Sequence, residues 1–245
     1  MDIKIFDRIE KKYLINKQQE QAILKIVSQQ MKRDGYYKSE VFNIYFDTKD
    51  FDLIIKSIDN PNFKEKLRAR SYGGYDKVFL EIKTKLKGWE ENDSKNRVGY
   101  KWRLLITHKD YDDFVKKRRG IEELAAKKVE LGTDAQVARE VSYLVSRLDL
   151  EPKILVYYDR ESYVGDKGLR ITFDRNLSFR DKDLKFVRKS GDRRYFGDAN
   201  TTVMEVKAHE SMPLWLAEVL SRERAFPERF SKIGKIYELI KKGEK

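Results

Sequence analysis

The chain has 245 residues, with 53 Lys plus Arg against 41 Asp plus Glu and a net charge of +12. Apolar residues at 40% and aromatic residues at 12% give enough bulk for a core, so the charge surplus points to a folded protein with an anionic partner and not to a disordered tail. There is no Cys and the only histidines are His108 and His209, which excludes disulfides, thiolate chemistry and His-rich metal sites; any metal must be a hard cation such as Mg²⁺ or Mn²⁺ on carboxylates and phosphates. MDIKIFDRIEKKYL carries no apolar signal core and no stretch reaches membrane-spanning length, from which a cytoplasmic location without its own membrane segment is expected.

Residues 3–15 read as a strand with Arg8, Glu10 and Lys12 on one face, because side chains two apart on a strand point the same way. Asn16 caps a helix expected to reach about Arg33, its stripe formed by Ala22, Ile23, Ile26, Val27 and Gln30. VFNIYFD at 41–47 is a strand, and Thr48 caps a short helix with Phe51, Ile54 and Ile55 inward. Residues 63–72 and 77–86 pair through Gly73-Gly74-Tyr75-Asp76, a hairpin signal. Residues 97–106 make a further strand, followed after Thr107 by a helix with Tyr111, Phe114 and Val115. That helix ends in KKRRG, read as exposed cations before a Gly stop.

Residues 121–131 have a helical pattern, and Thr133 opens a helix carrying Val137, Val141, Leu144, Val145 and Leu148. Residues 152–164 and 168–180 form the next strand pair, 181–200 is a polar loop, and TTVMEVKA is a last strand. Pro213 starts a helix with Trp215, Leu216, Val219 and Leu220, and a final helix follows Ser231. With no Pro-rich linker and no break in composition, a single domain over 1–245 is expected, of α+β class with an antiparallel sheet.

The strands alternate with charge where a core face would carry apolar residues. Lys66, Arg68 and Arg70 share a face, as do Glu81, Lys83 and Lys85, Lys101 and Arg103, Arg170, Thr172 and Asp174, and Glu205 and Lys207. One such strand is ordinarily a solvated outer face. Several together, with Arg160 added, predict a sheet curled around a basic, wet interior suited to a polyanion, since arginine forks and lysines match phosphate oxygens. Glu10/Lys12, Glu81/Lys83 and Glu205/Lys207 repeat Glu-x-Lys on these faces; singly such pairs are weak surface contacts, but their carboxylates suit a divalent cation bridging phosphates. No Walker A loop or kinase His-Arg-Asp motif is present. Ser231-Lys232 opens the last helix, where free N–H groups can meet phosphate or Ser231 can act as a plain cap.

RIEKKY, NIYFDT, KLRARSYGG, FLEIKT, YYDRESY, LRITFD, VMEVK and FSKIGK occur in that order, and this ordered set resembles the catalytic domain of the vacuolar transporter chaperone (VTC) family of triphosphate tunnel metalloenzymes. The resemblance implies an antiparallel tunnel β-barrel of about eight strands with helices packed outside. It also implies a metal-dependent polymerase, using Mn²⁺ or Mg²⁺, that moves the γ-phosphate of ATP onto polyphosphate or a short phosphate primer and releases ADP. Carried over by motif, Lys83, Lys101, Arg103 and Arg160 are the expected catalytic cations. Lys12, Lys66, Arg68, Arg70, Arg170, Lys207, Ser231 and Lys232 are the expected phosphate contacts, and Glu205, Glu10 and Glu81 the expected metal carboxylates. The superfamily's Glu-x-Glu-x-Lys signature is broken here by Arg8, which leans toward polymerase and away from hydrolase. A tunnel triphosphatase and a non-catalytic polyphosphate or nucleotide binder are the alternatives. Nucleic acid is not expected as a partner, and a membrane-bound partner is compatible with the sequence.

Overall fold

A computed structural model describes residues 8–59, 62–73, 76–87, 97–117, 133–188, 194–196, 200–209 and 211–243. In chain order its elements are β1 (Arg8–Ile15), α1 (Lys17–Gln30), β2 (Lys32–Asp47), α2 (Asp52–Ile58), β3 (Phe63–Tyr72), β4 (Val78–Lys87), β5 (Arg97–Ile106), α3 (His108–Lys117) and α4 (Thr133–Leu148). There follow β6 (Glu151–Val164), a 3₁₀ turn (Asp166–Gly168), β7 (Arg170–Arg180), β8 (Arg194–Tyr195), β9 (Thr202–His209), α5 (Leu214–Arg222) and α6 (Lys232–Gly243). The strands join in one sheet of nine in the order β1-β9-β7-β6-β2-β3-β4-β5, with β8 alongside β7. The β1–β9, β3–β4, β4–β5, β7–β8 and β7–β9 ladders are all antiparallel. The expected α+β antiparallel class is therefore met. The tip of the 73–76 turn, the end of the KKRRG run and the 121–131 helix lie outside the described residues, as do residues 3–7 of the first expected strand.

The described residues fall into two compact units. The first is drawn from Phe42–Val156 and Arg180–Asp192, the second from Phe6–Val41, Tyr157–Phe179 and Arg193–Lys245. In the first, Leu67 and Ala69 of β3, Val78, Leu80 and Ile82 of β4 and Leu104 and Ile106 of β5 are buried on one face. The charged residues between them take the other, which is the period-two rule in operation. Helix α4 packs on β5 with Val137, Val141, Leu144 and Val145 buried. Helix α2 is started by a buried carboxylate: Asp47 Oδ1 accepts from the N–H groups of Thr48 and Leu53, and Oδ2 from that of Ile54. Thr48 Oγ1 accepts from Asp52 N–H, as expected of a capping threonine, but the residue at the cap position is Phe51 in the left-handed region.

The second unit centres on Tyr13, Ile15, Ile23, Val27, Phe173, Met204, Val206, Leu216 and Val219. Asn16 and Gln19 close α1 with a reciprocal capping box. The helix stops three residues before the expected Arg33, because Met31 is already extended (φ −133°, ψ 154°) and β2 begins at Lys32. Strand β2 is 16 residues long where 41–47 was expected; its first half, KRDGYYKSE, is polar on both faces and carries no apolar alternation to betray it. In the 181–200 loop, Arg180 donates to the carbonyls of Lys185 and Val187, and Arg194–Tyr195 adds the two-residue β8.

Burial also moves one stability expectation. Trp215, taken from the sequence as a core residue, is only partly buried at the edge of the core, whereas Leu216 is 0% exposed. Leu216→Ala is therefore expected to cost about 2–5 kcal/mol, and Trp215→Ala distinctly less. Urea unfolding of the two variants against the parent checks the order.

Candidate phosphate-binding site

In the first unit the antiparallel register of β3, β4 and β5 sets charged side chains in rows. Lys66, Lys83 and Lys101 stand directly opposite one another, and in the next row so do Arg68, Glu81 and Arg103. Like charges in register repel, so these rows need negative charge beside them, and Glu81 supplies it to cations of both rows. Glu81 is only 1% exposed, and Arg68 and Arg103 lie 2.6 Å and Lys101 2.8 Å from its oxygens, with Arg70 at 3.9 Å. Burial works against the Glu81 charge, but Arg68 and then Arg70 and Lys101 hold its carboxyl well below the usual range. Arg103 is fixed further by stacking over Phe79, 4.5 Å from the ring centre. Arg70 donates to Asn43 Oδ1 (2.8 Å), whose amide in turn donates to the Val156 carbonyl.

Glu81 thus works as an internal counterion. Both its oxygens are engaged by cations. While no phosphate is bound it keeps four cations assembled whose mutual repulsion would otherwise scatter them.

Two groups here titrate near neutrality. Burial lowers the Lys101 ammonium, and despite Glu81 the result is about 8. Burial opposes ionisation of the Tyr45 phenol, yet Arg68 and Lys66 beside it bring it down to about 8. Above that pH Lys101 loses a charge and Tyr45 gains a negative one, and both changes oppose an anion. Metal-free tripolyphosphate affinity should accordingly be level below about pH 8 and fall as pH rises through it. Folding stability should move the other way. Between about 8 and 10 the unfolded chain binds more protons at both groups than the folded one, so stability rises with pH. Calorimetric titrations from pH 6.5 to 9.5, paired with urea unfolding, check the opposed trends; an affinity flat across that range contradicts them.

In the second unit a buried carboxylate plays the same part. Asp174 on β7 is 0% exposed; it accepts from Arg160 Nε (2.7 Å) and Nη2 (2.8 Å) and from Lys232 Nζ (2.7 Å). Burial again opposes its charge, while Arg160 and Lys232 pull its carboxyl down; the two cations are held up in turn by Asp174. Tyr158 lies beneath both, with Arg160 at 5.3 Å and Lys232 at 4.8 Å from its ring centre. Ser231 caps α6 by accepting from Gly234 N–H, so its plain capping role is filled. Arg170 leans on Asp34 (2.7 Å) and Ser162, and Lys12 donates to the Phe230 carbonyl (3.0 Å).

Strands β1 and β9 bring two expected metal carboxylates together. Lys207 Nζ lies 2.9 Å from Glu205 Oε1 and 3.8 Å from Glu10 Oε2, and Glu205 stands opposite Lys12 in register. Burial opposes the Glu205 charge, while Lys207, Lys12 and Arg160 hold it anionic. Among the described residues no group of three His, Cys, Asp or Glu is placed to hold a metal. Mg²⁺ or Mn²⁺ asks for less: one or two carboxylates, with phosphate oxygens and water for the rest. Glu205 and Glu10 meet that requirement.

The VTC domain family profile matches residues 7–240. The chain belongs to the VTC domain family. Over 166 residues it is 28% identical to vacuolar transporter chaperone complex subunit 4 of Schizosaccharomyces pombe, an alignment covering 63% of this chain and 21% of that much longer protein. Among solved structures it is similar to a putative adenylyl cyclase from Hippeastrum described as having a dominant triphosphatase activity (17% identical, 91% of each chain, TM-score 0.51). It is also similar to a Pyrococcus horikoshii OT3 protein (16% identical, 94% of this chain and 99% of that one, TM-score 0.47). The Hippeastrum likeness agrees with the antiparallel α+β fold. Among the described residues of this VTC domain no helix is long and apolar enough to cross a membrane.

Several residues at the site were missed by sequence reasoning. Asp174 and Thr172 were visible on the Arg170 face, but their roles depend on partners from other elements. Asn43 and Tyr45 lie in NIYFDT, and Tyr158 and Ser162 in YYDRESY, motifs that carried the resemblance without assigning these residues a role. Asp34 lies in none of them.

Proposed function

We propose that this VTC domain is a polyphosphate polymerase that transfers the γ-phosphoryl group of ATP to the end of a polyphosphate chain and releases ADP. The observation that carries the reading is the row of in-register lysines backed by arginines that buried carboxylates hold in place. Phosphoryl transfer needs positioning and charge neutralisation more than covalent chemistry, and such an array supplies both. The family match running through both units supports reading residues 1–245 as one triphosphate tunnel domain.

A terminal oxygen of the acceptor chain attacks the γ-phosphorus, the bond from that phosphorus to the β–γ bridging oxygen breaks, and ADP leaves with the electron pair. Lys83, Lys101, Arg103 and Arg160 neutralise the oxygens of the transferring group. Lys12, Lys66, Arg68, Arg70, Arg170, Lys207 and Lys232 bind the flanking phosphates, and the N-terminus of α6 behind Ser231 offers N–H groups. Glu205 with Glu10 would hold Mn²⁺ or Mg²⁺, which would supply charge neutralisation to the phosphates. Glu81 and Asp174 keep the arginines aimed.

The relative in Schizosaccharomyces pombe is a complex subunit, which supports a catalytic part working with partner subunits. The alternative acceptor is water, as in the triphosphatase activity described for the Hippeastrum protein. Incubation with ATP and Mn²⁺, with and without short polyphosphate, separates the two. ADP together with acid-insoluble phosphate chains supports the polymerase; ADP with an equal amount of free phosphate and no chains overturns it.

A further inference from the structure

Thr172 on β7 stands directly opposite Glu205 on β9 and shares its face with Arg170 and Asp174. It is 6% exposed, and its hydroxyl Oγ1 is buried and makes no hydrogen bond among the described residues. A buried hydroxyl without a partner is costly and calls for a ligand. On a strand the hydroxyl also lacks the usual helical escape of bonding to a carbonyl one turn back. Its neighbour across the ladder offers the complementary half. Lys207 Nζ lies 2.9 Å from Glu205 Oε1. Side chains directly opposite in an antiparallel pair lie about 5 Å apart at Cβ, close enough for both to reach one ion.

We propose that the Thr172 hydroxyl is a ligand of the divalent cation that Glu205 anchors, an assignment that rests on the metal reading of Glu205 given above. Hydroxyl oxygen is a fitting donor: a hard cation that keeps few protein carboxylates accepts neutral oxygens in its shell, as Mg²⁺ does from the Ser/Thr of nucleotide-binding loops. With Glu205 it supplies two protein oxygens from neighbouring strands, leaving positions for phosphate and water. The cations around the pair explain why a neutral donor suits this place. A third carboxylate would bind the surrounding lysines and Arg160 instead of leaving an oxygen for the metal.

The test is Mn²⁺ binding to the whole chain in the absence of nucleotide, read from loss of the free-ion signal in electron paramagnetic resonance, together with thermal unfolding of the metal-free proteins. Thr172→Val keeps the shape and removes the hydroxyl. It should weaken Mn²⁺ binding about tenfold or more while leaving the metal-free Tm equal to the parent's or higher, because an unpartnered buried hydroxyl has gone. Thr172→Ser should bind close to the parent, and Glu205→Gln should lose binding. Mn²⁺ affinity unchanged in Thr172→Val but lost in Glu205→Gln overturns the Thr172 assignment and leaves the Glu205 reading standing. Binding kept in both variants, or absent from the parent, overturns both. If Thr172→Val instead weakens metal-free tripolyphosphate binding and spares Mn²⁺, the hydroxyl is a phosphate donor and the assignment is wrong. A lower metal-free Tm in Thr172→Val assigns the hydroxyl a structural partner and also overturns it.

Discussion

Asp174→Asn is expected to destabilise the protein by roughly 3–5 kcal/mol, the cost of leaving buried charges without their counterion. The carboxylate is 0% exposed and faces two cations, Arg160 and Lys232, at 2.7–2.8 Å. The amide keeps the shape, so no cavity contributes to the loss. Lys232→Met is the informative partner. It removes one cation, leaves the Arg160–Asp174 fork with both its hydrogen bonds, and should cost clearly less. The pH dependence carries a sign as well. Because the folded carboxyl is held below its unfolded value, its contribution is complete above about pH 4 and disappears as pH falls through the folded pKa. The deficit of Asp174→Asn should therefore be constant near neutrality and shrink in acid. Urea unfolding at pH 7 and at pH 3 measures both, and a deficit that does not shrink would remove the charge from the explanation.

Glu205→Gln is expected to lower metal-dependent turnover by roughly 10²–10³-fold, the kinetic equivalent of the several kcal/mol that a bound cation supplies to transition-state charge. The fold should survive, since the substitution removes a charge and no volume. Glu81→Gln makes the contrast. The sequence places Glu81 beside Glu205 as a metal carboxylate, but its oxygens are filled by Arg68, Lys101 and Arg103. Folded Glu81→Gln protein should keep the parent's Mn²⁺ affinity and lose affinity for tripolyphosphate, as its cations drift apart. Steady-state rates over a Mn²⁺ titration, with calorimetry for both ligands, read out the two variants. Equal loss of Mn²⁺ binding in both would place Glu81 in the metal site with Glu205.

Much of this arrangement is written in the alternation of the chain. The charged face of FKEKLRARSY needs nothing beyond period two, and the same holds for FLEIKTKLK and YKWRL, so Lys66, Arg68, Lys83, Lys101 and Arg103 could be placed on one wall before any coordinates. Pairing register, by contrast, is a property of two strands at once. The alternation does not say that three lysines form one row and that Glu81 falls between two arginines in the next. Asp174 shows the same limit at longer range: it lies 58 residues from Lys232, and only the folded chain makes that lysine its partner. The long β2 escaped for a different reason. Its first half has no fully buried residue, and a strand without a buried apolar face leaves no apolar alternation to read. Ser231 was legible in both of its readings, and the structure fills the cap.

The central claim is that the cation rows serve a growing phosphate chain. The most direct measurement supplies a short polyphosphate primer labelled at one end, with ATP and Mn²⁺, and follows the label on a high-percentage gel while ADP is assayed in the same tube. The account predicts a ladder climbing by single phosphates, with one ADP released for each step. A primer that shortens, or stays at its starting length while free phosphate accumulates, would contradict it.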